Sequence, residues 1–345
     1  TIFFNGVPAN TIITSTPDSI NVEVPSGGST GTVTITVDGL SSTEIPGYHA
    51  PVFTYIYLVE LVAGIQGVAG VIDGHPGLLN SLFSIEVDPS TNDVYFSDGD
   101  IGIAYLRIIH HDTVSTIGSL AGTLGITGIS RPISGNIYLT ANDMSIYGCD
   151  LSSGSISEDY HNLTYLLFSI KVNGATPFIQ VIENDYLVSG DLRFLEYNTL
   201  THFIIDTIAT YHPANAANVA SDDMDKDNME NIYFSLYDFT NPLDKGFVLR
   251  LNKSTGYSTV DTLIKSPYSI SGIAINGSTV YYASDSKIYK INGKDNSVVV
   301  AGSSPGFVND IPLNSKFNGI VDIDYSNGYL YIVDANNYLI RRMKI

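Results

Sequence analysis

A tyrosine inside a short apolar strand recurs six times along this chain, and no other feature constrains the fold as strongly. The six are Tyr95, Tyr138, Tyr186, Tyr233, Tyr282 and Tyr331. Their successive spacings are 43, 48, 47, 49 and 49 residues. A period of roughly 40–50 residues, with about four short strands in each repeat, is typical of a β-propeller. We therefore predict an all-β chain that folds into a six-bladed β-propeller; a β-sandwich, or a pair of them, is the alternative.

The residue pattern between these tyrosines supports strands throughout. Segments in which apolar and polar residues alternate, such as Gly31–Val37, are separated by clusters of Gly, Asn, Asp and Ser. Such alternation indicates half-buried strands joined by turns. With 345 residues, the chain is long enough for about two domains.

Composition excludes several classes of protein. The chain carries 35 acidic and 16 basic residues, a net charge of −19, which argues against binding nucleic acid or docking on an anionic membrane surface. The longest apolar run, residues 51–59, is too short to span a bilayer, so we predict no membrane insertion within this chain. A single cysteine, Cys149, excludes a disulfide within the chain and a cysteine-based zinc site.

The last repeat lacks its fourth strand. Its third strand, residues 339–345, ends the sequence, whereas residues 58–64 before the first repeat have the pattern of the missing strand. Pairing the two segments would remove two unpaired sheet edges at once. We therefore predict that residues 58–63 pair with the C-terminal blade and close the ring.

The first and last repeats resemble the NHL repeat. In the last repeat the resemblance lies in residues 299–303, 306–307, Asp310, 313–320, 328–335 and 339–341, and in the first in residues 61–64, 73–74, 82–88 and 93–98. Repeats two to five retain mainly the strand pattern. The resemblance spans about residues 57–345 and implies the same six-bladed fold.

Residues 1–50 resemble the latter half of an IPT/TIG domain, which is an immunoglobulin-like β-sandwich. The matching segments are residues 3–9, 18–25 and 31–37. Either the missing strands precede Thr1 in a precursor, or another chain supplies them by strand addition. We predict a partial IPT/TIG-like domain over residues 1–50 and a propeller over residues 51–345. The combination of the two resemblances implies an extracellular or cell-surface protein.

Two sets of candidate site residues stand out. Asp223, Asp225, Asp227 and Glu230 lie in an acidic run whose oxygen ligands and spacing suit calcium; the alternative is an inter-strand turn ahead of the strand at Ile232. Glycosylation candidates, each in an Asn-x-Ser/Thr sequence, are Asn162, Asn252 and Asn276.

No catalytic residue is predicted. The seven histidines form no HExxH pattern, and no GxGxxG or P-loop sequence is present. The serine-containing segments at residues 26–29 and 152–155 are interpreted as turns and not as nucleophile motifs. No cofactor other than calcium is implied. We therefore predict a non-enzymatic structural or adhesive protein that contacts protein partners or copies of itself. Two alternatives are kept: a cell-surface glycan-binding protein, and a metal-dependent enzyme resembling lactonase or lyase propellers.

Overall fold

The computed structural model describes the whole chain except residues 10, 17–18, 23, 25–29, 45–48, 50, 54–56, 123–124, 162–165, 173–177, 185–190 and 214–218. The chain divides into two compact units, Thr1–Tyr57 and Leu58–Ile345. This boundary lies seven residues beyond the one predicted from the sequence. Strands dominate both units, and the described part contains no α-helix, so the all-β prediction is confirmed.

The first unit contains one five-stranded sheet and one two-stranded ribbon. The sheet has the order β2-β1-β5-β6, and β7 also pairs with β5; β3 pairs with β4 in the ribbon. The strands are β1 (Ile2–Phe4), β2 (Val7–Pro8), β3 (Ile12–Ser15), β4 (Ile20–Val22), β5 (Gly31–Val37), β6 (Leu40–Ser41) and β7 (Val52–Phe53).

The described part of the second unit forms six antiparallel sheets that follow one another along the chain. The first three sheets contain β9 (Ile85–Val87), β10 (Val94–Asp100), β11 (Ile103–His110) and β12 (Thr113–Ala121); β13 (Ile126–Ile129), β14 (Asn136–Ala141), β15 (Ser145–Asp150) and β16 (Ser155–His161); and β17 (Leu166–Val172), β18 (Phe178–Asn184), β19 (Leu192–Asn198) and β20 (Phe203–Tyr211).

The last three sheets follow the same plan, except that the fourth has a divided first strand. Their strands are β21 (Val219–Ala220), β22 (Met224–Lys226), β23 (Ile232–Asp238), β24 (Gly246–Leu251) and β25 (Val260–Ser266); β26 (Gly272–Asn276), β27 (Thr279–Ser284), β28 (Lys287–Gly293) and β29 (Asn296–Ala301); and β30 (Ile320–Ser326), β31 (Tyr329–Asp334), β32 (Leu339–Lys344) and β8 (Glu60–Ala63). Short 3₁₀ turns lie at Ser42–Glu44, Lys253–Thr255 and Ala335–Asn337.

The strand β8 forms the outer edge of the sixth sheet, although it precedes the other three strands of that sheet by most of the length of the second unit. It pairs antiparallel with β32, with Ile340 opposite Ala63 and Arg341 opposite Leu61. The sixth sheet thus takes strands from both ends of the second unit, so the unit cannot unravel from either end without breaking this sheet.

The first strands of the six sheets, β9, β13, β17, β22, β26 and β30, are called the leading strands below. Each leading strand contacts the next one along the chain, and β30 of the sixth sheet also contacts β9 of the first. Side chains from six separate segments therefore come together where the leading strands meet.

The repeated tyrosines pack between neighbouring sheets. Tyr95 of the first sheet is buried in a cluster with Ile126 and Ile137 of the second, and Tyr331 of the sixth is buried with Ile85 of the first. In the fifth sheet Tyr281, rather than Tyr282, joins the cluster of the sixth. The second strand of the third sheet is β18, which contains no tyrosine; the strand predicted around Tyr186 lies outside the described residues.

No helix in the described part of the chain is long and apolar enough to cross a membrane.

Candidate functional site

Two Asp-x-Asp pairs lie on a leading strand or directly before it, and they bind the leading strand of the following sheet. In the fourth sheet, Asp223 Oδ2 accepts a hydrogen bond from the backbone N–H of Ile273 at 2.8 Å. Asp225 Oδ2 accepts one from the N–H of Ile275 at 2.9 Å. These two N–H groups lie two residues apart on β26, so the spacing of the carboxylates matches the period of the strand.

The second pair repeats this arrangement between the sixth and first sheets. Asp322 Oδ2 accepts from the N–H of Ile85 at 2.9 Å, and Asp324 Oδ2 accepts from the N–H of Val87 at 2.7 Å. An exposed strand edge leaves such N–H groups unpaired, and a buried unpaired N–H is costly. The two Asp pairs satisfy four of them and join sheets that no backbone ladder connects.

A single buried lysine lies among these carboxylates. Lys171 Nζ, on β17, lies 2.7 Å from Glu86 Oε2, and the other Glu86 oxygen lies 3.3 Å from Arg131 Nε. Burial lowers the pKa of Lys171, but Glu86, Asp324, Asp225 and Asp223 together raise it well above its ordinary value. Lys171 is therefore a fixed cation at neutral pH and cannot act there as a base.

Burial raises the pKa values of the carboxyl groups around Lys171. It raises the pKa of Asp223 and of Asp225 to about 6, against the lowering effect of Lys171. The pKa values of Asp322 and Asp324 lie well above the ordinary value, because burial and the neighbouring carboxylates disfavour the charged form. This cluster therefore changes its net charge in the range from weakly acidic to neutral pH.

Residues at the starts of the leading strands line a cavity of about 340 Å³, which we call the mouth cavity. Its wall includes Phe83, Thr127, Asn142, Asp222 and Ser271. Residues at the ends of the same strands, including Arg131, Lys171 and Asp324, line a smaller cavity of about 210 Å³. The acid–lysine cluster thus lies between two cavities, one polar and aromatic, the other lined by charges of both signs.

Phe83 and Asp222 are two exposed side chains on the wall of the mouth cavity. Phe83 is an aromatic residue that the fold leaves 47% exposed. The Asp222 carboxylate is accessible from the cavity and accepts no hydrogen bond from the residues that the structure describes. The surrounding protein displaces bulk water from this carboxylate, and this desolvation raises the pKa of Asp222 to about 6. A flat apolar ring beside an unpaired carboxylate can contact a ligand with one apolar face and several hydroxyl groups.

The four candidate calcium ligands do not form one site. Asp223 and Asp225 bind the neighbouring sheet, as described above. Asp227 accepts hydrogen bonds within its own turn, from the N–H groups of Met229 and Asn231 at 2.9 Å each. Glu230 instead pairs with Lys253 at 3.1 Å. Within the described residues, no three His, Cys, Asp or Glu side chains are placed to hold a metal ion.

We therefore expect calcium to leave the stability of the protein unchanged. An ion that binds only the folded state raises the melting temperature, and here the carboxylates already serve internal donors. The measurement is thermal unfolding in millimolar calcium and in EDTA. A calcium-dependent rise in melting temperature that Asp225→Asn abolishes would contradict this prediction.

The glycosylation candidates differ in their surroundings. Asn162 lies outside the described residues. Asn252 Nδ2 donates to Thr259 Oγ1 at 3.1 Å and to Asp261 Oδ2 at 3.0 Å, so a glycan there would disrupt a local network. Asn276 is half-buried at the end of β26.

Sequence reasoning missed Glu86, Lys171, Asp322, Asp324 and Phe83. A signal for part of this set is present, because Asp322-Ile323-Asp324 repeats the spacing of Asp223-Met224-Asp225 at almost the same distance before a repeat tyrosine. Aligning the repeats on their tyrosines would have placed both pairs on leading strands. Lys171 and Phe83 have no comparable signal.

No protein-family model matches this sequence, and no curated protein matches it. Among solved structures, the fold is similar to a protein of unknown function from Bacteroides thetaiotaomicron VPI-5482, with a TM-score of 0.67 and 14% identity over 97% of this chain and 86% of that chain. It is also similar to an auxiliary nutrient binding protein from the same organism, with a TM-score of 0.62 and 15% identity over 99% and 89% of the two chains. At these identities the likeness shows the fold alone.

Proposed function

We propose that residues 58–345 form a six-bladed β-propeller of the NHL type and that the N-terminal unit is a partial IPT/TIG-like domain. Support for the propeller comes from the period of the tyrosines, the six consecutive sheets and the contact of each leading strand with the next. The contact of β30 with β9 and the place of β8 in the sixth sheet are what a closed ring requires. Each blade is then one of the six sheets.

We propose that this propeller binds a carbohydrate in its mouth cavity. The observation that carries the proposal is the exposed ring of Phe83 on the wall of a cavity whose other side chains, apart from Val321, are hydroxyl, amide and carboxylate groups. A sugar has an apolar face that packs on an aromatic ring, and its hydroxyl groups need several donors and acceptors. Asn142 supplies an amide and Asp222 a carboxylate. The hydroxyl oxygens of Thr127 and Ser271 can act as acceptors, since their hydrogens are donated to the carbonyl oxygens of Leu167 and Ile320.

One structurally similar protein is described as an auxiliary nutrient binding protein. That description belongs to that protein, and we extend it to this chain only as support for a binding role. An extracellular or cell-surface location agrees with this role and remains a proposal. The structural or adhesive function predicted from the sequence, with its protein partners, also remains a prediction, as does the absence of enzymatic activity.

We expect Phe83→Ala to weaken carbohydrate binding by about tenfold or more, which corresponds to about 1.4 kcal/mol. The substitution removes the aromatic surface and leaves the polar groups of the cavity in place. A screen of neutral oligosaccharides would identify a ligand, and calorimetry would then compare the two proteins. Phe239→Ala is the matched control, because Phe239 is 58% exposed and does not line this cavity.

Two results would contradict the proposal. One is that no neutral saccharide binds the wild-type protein in the screen. The other is that Phe83→Ala binds as tightly as the wild type while retaining its melting temperature.

A further inference from the structure

A second cavity adjoins the mouth cavity at Phe83. It has a volume of about 310 Å³, and its wall is built mainly from the first sheet, including Asn80, Ser81 and Asp100. Phe83 and Gly125 line both cavities. We call this second space the side cavity. The exposed phenylalanine thus stands at the junction between two spaces of similar size.

Glycine at position 125 helps to leave this junction open. A Cβ atom added there would lie 3.7 Å from Phe83 Cε2 and 3.9 Å from Asn142 Nδ2, which are ordinary contact distances. A larger side chain at this position would therefore extend into the space beside Phe83. Glycine leaves this space beside the ring unfilled.

The two cavities also share their electrostatic character. Asp222, Asp223 and Asp322 line the mouth cavity, Asp98 and Asp100 line the side cavity, and neither lining includes Lys, Arg or His among the described residues. Asp98 is neutralised by the buried Arg107 at 2.6 Å, whereas Asp100 is exposed. An anionic ligand would therefore meet Asp222 in the mouth cavity and Asp100 in the side cavity, with no cationic side chain among the described lining residues of either cavity.

We propose that the ligand is a linear, uncharged oligosaccharide that lies across Phe83, with one part in the mouth cavity and the next in the side cavity. This inference rests on the proposed carbohydrate-binding function and specifies its ligand class. Each cavity by itself is at the lower end of the range of about 300–1,000 Å³ that is usual for small-molecule sites. Together they suit an oligomer, and the ring between them would pack against the sugar at the junction.

The test is the dependence of affinity on chain length. The probes are cello-, chito- and malto-oligosaccharides from monomer to hexamer, and oligogalacturonides as the anionic counterpart, measured by calorimetry. We expect the best neutral series to gain at least tenfold in affinity from monomer to oligomer and then to reach a plateau. Oligogalacturonides should bind at least tenfold more weakly than neutral chains of equal length.

Ser81→Phe separates the two cavities in this test. Ser81 is exposed and lines only the side cavity, so a phenyl ring there should remove the gain in affinity with chain length. Ser115→Phe is the matched control, since Ser115 is an exposed residue of β12 that lines neither cavity. Gly125→Val is a second variant and should reduce the same gain.

The outcomes distinguish the inference from the function on which it rests. If no saccharide of any length binds, both are overturned. If saccharides bind and Phe83→Ala weakens them, but affinity is flat with length or Ser81→Phe keeps the full gain, only the two-cavity inference is overturned. If galacturonides bind as tightly as neutral chains, the uncharged ligand class is wrong.

Discussion

Replacing Arg341 with methionine should lower the free energy of unfolding by about 3–5 kcal/mol, because it removes one partner of a fully buried ion pair. Arg341 lies on β32 and is completely buried. Its Nη1 atom lies 3.0 Å from Asp334 Oδ2, which is also buried. Methionine fills part of the same space but donates no hydrogen bond, so Asp334 would remain in the interior without its counter-charge.

The guanidinium of Arg341 also anchors the long connection between β29 and β30. It donates to the carbonyl oxygens of Lys316 at 2.6 Å and Val308 at 2.7 Å, and to Asn309 Oδ1 at 2.7 Å. Losing these donors removes three hydrogen bonds to part-buried acceptors, which adds to the cost. We therefore expect limited proteolysis of the variant to begin within residues 302–319.

Urea unfolding followed by circular dichroism and tyrosine fluorescence would measure the change, since the chain has 23 tyrosines and no tryptophan. Arg342→Met is the control on the adjacent residue. Arg342 is 36% exposed and pairs with the half-exposed Glu60, so its loss should cost about 1 kcal/mol or less. If Arg341→Met and Arg342→Met lose the same free energy of unfolding, the buried ion pair of Arg341 contributes no more than the exposed pair of Arg342, and the prediction is wrong.

Lys171→Met should destabilise the protein by about 3–5 kcal/mol near pH 8, where Asp223 and Asp225 are ionised. Lys171 lies 2.7 Å from Glu86 and is the cation that offsets Asp223, Asp225 and Asp324 in the cluster. Without it, like charges face one another in a region from which water is largely excluded. The double variant Glu86→Gln/Lys171→Met should recover part of the loss, because it removes one of the negative charges that Lys171 offsets.

The loss of unfolding free energy from Lys171→Met should be smaller near pH 5, because the pKa values of the neighbouring aspartates are raised in the folded state. The pKa values of Asp223 and Asp225 are raised to about 6 in the folded state. Carboxyls with raised pKa values favour the folded state at low pH and lose that contribution as the pH rises towards 6. At about pH 5 Asp223 and Asp225 are mostly protonated, so Lys171 has less negative charge to offset.

The raised pKa of Lys171 does not alter this trend. A lysine with a raised pKa stabilises the folded state fully below its ordinary value of about 10.4, and that contribution is lost only in strongly alkaline solution. Urea unfolding at the two pH values, with Lys294→Met as the exposed-lysine control, is the measurement. A loss that is the same at both pH values would refute the electrostatic account.

Asp223 and Asp225 show how far the sequence could lead towards the site. Their spacing and acidity were evident, and the sequence left open a turn or a calcium site. In the structure their partners are N–H groups of Ile273 and Ile275, fifty residues further along the chain. A carboxylate that binds calcium and one that caps a distant strand have the same local sequence, because the choice depends on which donor the fold brings near.

Phe83 shows the same limit for an apolar residue. Its segment has the pattern of an ordinary buried strand start, with Leu82 buried beside it. Whether an aromatic side chain fills a core or faces a cavity depends on the neighbouring sheets, and Gly125 lies 42 residues away in the second repeat. Nothing in the local pattern distinguishes Phe83 from the many phenylalanines that are buried.

The sequence by itself determined the all-β class and the repeating unit. The alternation within a strand and the period between tyrosines depend only on the order of residues, so they can be recognised without knowing any tertiary contact. Tyr95, Tyr138, Tyr233 and Tyr331 are buried as that pattern implies. Only the tertiary structure decided the surroundings of Lys171, the capping of strands by Asp pairs and the two cavities beside Phe83. Each of these depends on side chains from sheets far apart in the chain, and their burial and charge are set by how those sheets pack rather than by the residues on either side.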